Sequence, residues 1–375
     1  MIDWKQVYND FDPEQPVVER PEWRVERTQS PVQQVVELLD LPVGTPHVLL
    51  TGTVGSGKST ELFRIAEARA ARHFVLVLDL DRHFTRVVGD PAALRSIAPW
   101  EVCFLVGVAL ARAAQERLGV EFASDTLDEL SAAWRRAARA SETPEPAEFD
   151  LGALGRAMVM FASVAPPLVA GSAIAPGAVA ANAGINALKE AAGGVKWKLA
   201  QGRSAKRLLD QDDELRGLLL VVNRMLGEIQ SKHAPVLLVI DGLDRVTDVD
   251  HARALFVDSS MLSQFACATV VCGPYALRHR PELAQMKGFR PVTLVNEPVM
   301  DMGDLRAHGP GIAVFERMFR SRVARWEEAA DPEALRHLAW CSGGRARDFV
   351  RLVRMLAERV LIAKGVRAER PTSIR

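Results

Sequence analysis

A three-layer α/β fold on a parallel sheet, followed by a small C-terminal helical lid, is what this sequence predicts. Three observations carry that expectation. Four short apolar runs, His47–Thr51 (HVLLT), Phe74–Leu80 (FVLVLDL), Val236–Ile240 (VLLVI) and Ala268–Cys272 (ATVVC), are continuous rather than alternating. Strands buried on both faces by crossover helices read that way. A glycine-rich stretch, Gly52–Thr60 (GTVGSGKST), joins the first run to a helical pattern over Ser59–Arg72. After Gly309-Pro310-Gly311 the periodicity becomes wholly helical.

Taken in order, residues 1–30 are polar, punctuated by proline and carry Trp4 and Trp23. They read as an extended N-terminal arm that packs its aromatics on the next domain. Residues 31–140 form the first part of the core. It opens with a helix over Pro31–Leu41 and continues through the glycine stretch and the second strand. A buried helix over Trp100–Gly119 follows, then one capped by Ser124 or Asp125 that runs to about Ala140. Residues 141–202 read as an insertion. It starts with an acidic, proline-bearing linker and holds 32 residues without a charge, Ala157–Leu188. That run is long enough to span a bilayer, but Pro166, Pro167, Pro176 and its glycines would break a spanning helix. A small-residue loop is preferred, with a docking hairpin and a membrane contact as the other readings. Val195–Leu199 alternates apolar residues with lysine as an edge strand does.

Residues 203–308 form the second part of the core. A helix over Asp210–Gln230 feeds the strand Val236–Ile240, a helical stretch covers Val249–Phe265, and Phe289–Val295 is the last strand. Residues 309–375 are the lid, with helices over Ile312–Ala329, Pro332–Trp340 and Arg345–Ala363.

Composition narrows the function classes. Over 375 residues the formal net charge is zero, so no global field favours nucleic acid or a membrane surface. Cys103, Cys267, Cys272 and Cys341 show no CxxC pair and no metal-ligand spacing, which reads as small core residues of a reducing compartment. The first residues carry acids and no apolar h-region, so the expected location is cytoplasmic.

The chemistry is concentrated in two places. Gly52, Thr53, Val54, Gly55, Ser56, Gly57, Lys58, Ser59 and Thr60 fit G-x-x-x-x-G-K-[ST] between a strand and a helix. Glycines let the backbone curl around phosphate with its N–H groups inward, and the helix dipole faces the anion. Lys58 adds a charge that reaches β- and γ-phosphates, and the Ser59 hydroxyl suits Mg²⁺. The second place is LLVIDGLDR, where an apolar strand ends in Asp241. Beside a phosphate loop, a carboxylate in that position holds Mg²⁺, the Walker B arrangement. Asp79 and Asp81 end another strand and read as solvated loop acids or outer partners of the metal. Many ATPases place Glu directly after the metal-binding Asp, but here the position is Gly242, and Asp244 is the next candidate to orient water. The alternative for Asp244 is that it only orders Lys58 or Arg245. Positive charge for the transition state could come from Arg245, Arg278 or the turn Ser342–Asp348 (SGGRARD), where Arg347 is preferred over Arg345.

GTVGSGKSTEL with LLVIDGLDR, and SGGRARDFVRL after a helical break, resembles the STAND and AAA+ branch of the P-loop NTPases of the ASCE type. The DGLDR form is similar to NACHT and KAP-type modules, and the SGGRARD turn resembles a sensor-2 helix, with Arg347 on the sensor arginine. The resemblance covers about residues 30–365 and implies an insertion between Lys58 and Asp241. KAP-type ATPases carry membrane segments there. The family implies an ATP- and Mg²⁺-dependent switch that oligomerises and signals to a partner effector or sensor protein, in bacteria often within antiphage defence. Two other readings stand beside it: a DNA-associated loader-type ATPase, disfavoured by the absent net charge, and a nucleotide-binding scaffold without turnover, favoured by Gly242. A small-molecule kinase is weaker still, since no substrate-site motif stands out. With no N/T-K-x-D motif, ATP is expected over GTP.

Overall fold

The computed structural model describes residues 3–15, 17, 20–42, 44–140, 212–279, 286, 288–304, 306–323 and 331–363. The expected insertion over 141–202, its charge-free run and the edge strand at Val195–Leu199 lie outside them. The chain divides into two compact units. The larger comprises Val32–Thr51 and Leu62–Val292; the smaller comprises Met1–Pro31, Gly52–Glu61 and Thr293–Arg375.

The apolar runs become β1 (His47–Gly52), β2 (Phe74–Asp79), β3 (Val236–Asp241), β4 (Ala268–Cys272) and β5 (Arg290–Leu294), all but Gly52, Thr293 and Leu294 belonging to the larger unit. They form one sheet of order β2-β3-β4-β1-β5. The pairings β2–β3, β3–β4 and β4–β1 are parallel. Every residue of β1 and β3 is buried, so neither run alternates. The fold is α/β, as predicted. In a parallel sheet all strands end on one edge, where open α/β sheets place their ligands. Register fixes what meets there: Asp79 lies level with Asp241.

Helices α2 (Val32–Leu39), α3 (Lys58–Arg69), α4 (Leu80–His83), α5 (Pro99–Leu118) and α6 (Ser124–Ala140) precede the insertion. Helix α7 (Asp212–Lys232) follows it. Helix α5 is buried on every side from Pro99 to Leu110, which is why its charges come late, and Gly119 ends it at φ 66°. It meets α6 and α7 at Gly107, where an added Cβ would lie 2.9 Å from Leu130 Cδ1 and 3.1 Å from Val222 Cγ2. Trp134 of α6 packs on Phe104 of α5 with ring centroids 5.2 Å apart.

One expected element is broken. The helical stretch over Val249–Phe265 is a short α8 (Val249–Arg253), a π turn over Ala254–Asp258 and a 3₁₀ turn over Met261–Ser263. The Ser259 hydroxyl accepts from the Met261 N–H at 3.3 Å, which gives the backbone a partner outside the helix.

The smaller unit is helical. It contains α1 (Trp4–Asp10), α9 (Ile312–Arg320), α10 (Pro332–Cys341) and α11 (Ala346–Ala363) around Phe11, Phe315, Phe319, Phe349 and Val353. The arm is therefore not extended over its first turns. Asp3 Oδ1 accepts from the Lys5 and Gln6 N–H groups at 2.9 and 3.1 Å, a side-chain cap that starts α1. The aromatics do pack, as expected: Trp23 is buried, and the Arg322 guanidinium lies 4.9 Å from its ring and 5.0 Å from that of Phe11. Arg354 of α11 pairs with Asp12 at 2.5 Å and lies over Tyr8. The unit takes in the segment from Thr293, ahead of the boundary at 309 that the glycines suggest. Among the described residues, no helix is long and apolar enough to cross a membrane.

Candidate functional site

The glycine stretch leaves β1 at Gly52 and enters α3 at Lys58. Gly55 and Gly57 adopt φ of 82° and 98°, values that side chains with a Cβ rarely take. Lys58 is buried, and its Nζ donates to the carbonyls of Gly52 at 2.9 Å and Thr53 at 3.0 Å. The ammonium is thus turned over its own loop. Ser56 Oγ is buried without a hydrogen-bond partner among the described residues. Ser59 is exposed in the first turn of α3, where helix N–H groups lack intrahelical partners. Val54 is exposed at the tip, and Thr60 is half-buried.

Three contacts from distant sequence fix the loop, all within the smaller unit. The Thr53 hydroxyl donates to Asn296 Oδ1 at 2.7 Å. Arg27 donates to the Ser56 carbonyl and, at 2.8 Å, to that of Val295. Arg27 Nε also pairs with Glu297 Oε1 at 2.8 Å, with both side chains under one-tenth exposed. Glu297 in turn accepts from the Thr28 N–H at 3.3 Å, and its own N–H donates to the Gly344 carbonyl at 3.0 Å. Gly344 must be glycine there: a Cβ would lie 2.1 Å from the Glu297 carbonyl oxygen, and φ is 78°. The third contact is Arg347. Its N–H donates to the Gly55 carbonyl at 3.1 Å, and a Cβ on Gly55 would lie 2.8 Å from Arg347 Cβ. The SGGRARD turn and the glycine loop are joined backbone to backbone. Arg345 and Arg351 both pair with Asp348. Among the described residues, no ion pair involves the Arg347 guanidinium.

In the larger unit the acids sit at strand ends. Asp241 closes β3, is buried, and accepts from the Gly242 N–H at 2.8 Å. Gly242 takes φ 97°, and a Cβ there would lie 2.7 Å from the Asp81 nitrogen. Any side chain there is strained and must displace the Asp81 backbone, so a carboxylate directly after Asp241 is disfavoured. The turn Leu243–Arg245 brings Asp244 back toward Asp241. One carboxylate oxygen of each, with Cys272 Sγ, lie within 4.8 Å of one another. Asp81 pairs with Arg245 at 3.2 Å, both half-exposed. Asp79 accepts from the Arg82 N–H at 2.9 Å and caps α4; burial, the largest cause, raises its carboxyl above the ordinary range. Arg278 lies in the 3₁₀ turn Tyr275–His279 that follows β4.

A phosphate-bearing ligand fits the loop on its own features: left-handed glycines, a buried unpartnered hydroxyl on Ser56, and Lys58 held over the carbonyls. Ser59 in the smaller unit and Asp241 in the larger each carry an oxygen of the hard kind that Mg²⁺ takes. Arg27, Asn296 and Glu297 escape sequence reasoning because no local pattern marks them. Their roles come from partners more than 200 residues away. A doublet such as Asn296-Glu297 just past a strand end is the one available signal. No protein-family model matches the chain, and no curated protein or solved structure matches it.

Proposed function

We propose that this chain is an ATP-binding switch of the P-loop type that hydrolyses ATP slowly and changes its assembly or partner affinity as it does so. One observation carries the reading: the Arg347 N–H is bonded to Gly55 of the candidate phosphate loop. A ligand that reorganises this backbone acts on the start of α11 through that 3.1 Å hydrogen bond. Gly52–Thr60 would take the phosphates, with Lys58 exchanging its two carbonyl partners for phosphate oxygens. Ser59 and Asp241 would hold Mg²⁺. Bound ATP·Mg²⁺ supplies the phosphoanhydride bond and the metal charge. With position 242 closed to a larger side chain, Asp244 is the carboxylate left to orient water, and the Arg347 guanidinium is the group assigned to the γ-phosphate. ATP drives a switch only as far as its affinities for the two states differ.

The test follows nucleotide binding, phosphate release and light-scattering mass in the same samples, with no nucleotide, ADP or ATP·Mg²⁺. Wild type should bind ATP and change mass with it. Lys58→Ala should bind roughly ten- to a hundredfold more weakly, as expected for a lost charge-assisted hydrogen-bond set. Unchanged binding in Lys58→Ala removes the reading.

The strain that any carboxylate at position 242 would meet also favours a second reading, a nucleotide-binding scaffold without turnover. In that case ATP binds and shifts the mass while no phosphate is released. Turnover abolished by Asp244→Ala dismisses it.

A further inference from the structure

We propose that Asp241, Asp244 and Cys272 form a binding site for one thiophilic divalent cation of the zinc type. The three ligand atoms lie within 4.8 Å of one another. A tetrahedral ion with bonds of about 2.0–2.2 Å to oxygen and 2.3 Å to sulfur needs them only modestly closer, within reach of side-chain rotation.

The scaffold is built by register rather than by a loose loop. Strands β3 and β4 are parallel neighbours, with Ile240 level with Val271. Asp241 and Cys272, the last residues of these strands, therefore come level as the next pair along. Asp244 is returned to them by the left-handed Gly242, where any side chain would be strained and crowded. Asp241 and Cys272 are buried and Asp244 is half-buried, so two carboxylates are concentrated away from bulk water.

Donor chemistry selects the class of ion. Mg²⁺ and Ca²⁺ take oxygen, whereas a cysteine sulfur favours Zn²⁺ or Co²⁺ over either. Two oxygens and one sulfur leave a fourth position for water or an anion. On binding, the Cys272 thiol gives its proton to solvent as the metal–sulfur bond forms. The site does not depend on nucleotide. Where the nucleotide reading holds as well, Zn²⁺ and Mg²⁺ compete for Asp241.

Cobalt is the probe, because tetrahedral Co²⁺–thiolate absorbs strongly. Cys341 Sγ lies 3.6 Å from His337 Nε2 on exposed α10 and could take up cobalt separately. The full chain is therefore studied in a Cys341→Ser background, without nucleotide. The expected result is one Co²⁺ per chain with a sulfur charge-transfer band, displaced by stoichiometric Zn²⁺ and not by excess Mg²⁺. Cys272→Ser should remove the band. Asp244→Asn, a half-buried change in a turn, should weaken Co²⁺ binding at least about tenfold. No charge-transfer band, a band that survives Cys272→Ser, or Asp244→Asn binding as wild type would each overturn the site. ATP binding in the same preparation, compared with Lys58→Ala, reports the nucleotide reading separately, so either can fail alone.

Discussion

The glycine loop and the acidic strand ends are held in opposite ways. The loop takes its shape from charged and polar side chains that arrive from both ends of the sequence, with Arg27–Glu297 at their centre. The acids take theirs from strand register and a single left-handed glycine. A site fixed by register is indifferent to the loss of one polar contact. A site fixed by a buried ion pair is not, because removing one partner leaves the other charged and desolvated.

The sharpest way to break this comparison is Glu297→Ala. It strips buried Arg27 of its carboxylate and should cost about 3–5 kcal/mol in denaturant unfolding. The double variant Arg27→Met, Glu297→Leu should recover much of that. A cost under about 1 kcal/mol for Glu297→Ala would mean the loop has another support.

The larger unit should instead show its weakness in acid. Burial holds the imidazoles of His83 and His47 down to about 4. Their folded values lie below the unfolded 6.5, so the unfolded chain takes protons first as pH falls. Stability is then complete above pH 6.5 and is lost between pH 6.5 and about 4. For His83 this amounts to about 3 kcal/mol. The raised carboxyl of Asp79 acts the other way, since its folded form protonates first. Urea titrations from pH 7 to 4.5 should show the loss, and His83→Gln should flatten the slope. An unaltered slope would place the acid sensitivity elsewhere.

Two glycine substitutions compare the regions directly. Gly55→Ala and Gly242→Ala each place a Cβ at positive φ and against a neighbour at 2.8 or 2.7 Å. Each should cost about 1–3 kcal/mol. Their functional effects should separate: Gly55→Ala impairs ATP binding, while Gly242→Ala impairs Co²⁺ uptake. Equal loss of both ligands in both variants would show global damage instead. The smallest effect is expected for Arg245→Ala. Its pair with Asp81 is about two-fifths exposed on each side, so it should contribute under about 1 kcal/mol by thermal unfolding.

Much of the fold could be read in advance where local pattern suffices. The continuous apolar runs are strands, Gly119 ends α5, and Pro332 opens α10. Local pattern does not suffice where a short-range hydrogen bond competes with periodicity, as at Ser259, or where one capping side chain is enough to wind a helix, as at Asp3. Of the site residues, Lys58 and Asp241 announce themselves by spacing. Spacing names Asp244 with two possible roles, and only the turn at Gly242 shows that it lies beside Asp241. Cys272 gave no signal at all, because a single cysteine at a strand end looks like core until its neighbouring strand is known.

Local chemistry alone dictates the α/β class, the strand–glycine–helix unit and the acid that closes β3, because apolar periodicity and glycine chemistry act over a few residues. Long-range folding is what sets Arg27 and Glu297 against the loop, brings Arg347 to Gly55 and puts a thiol beside two carboxylates. Those are contacts between segments tens to hundreds of residues apart. Chain folding sets their distances, and no local propensity encodes them.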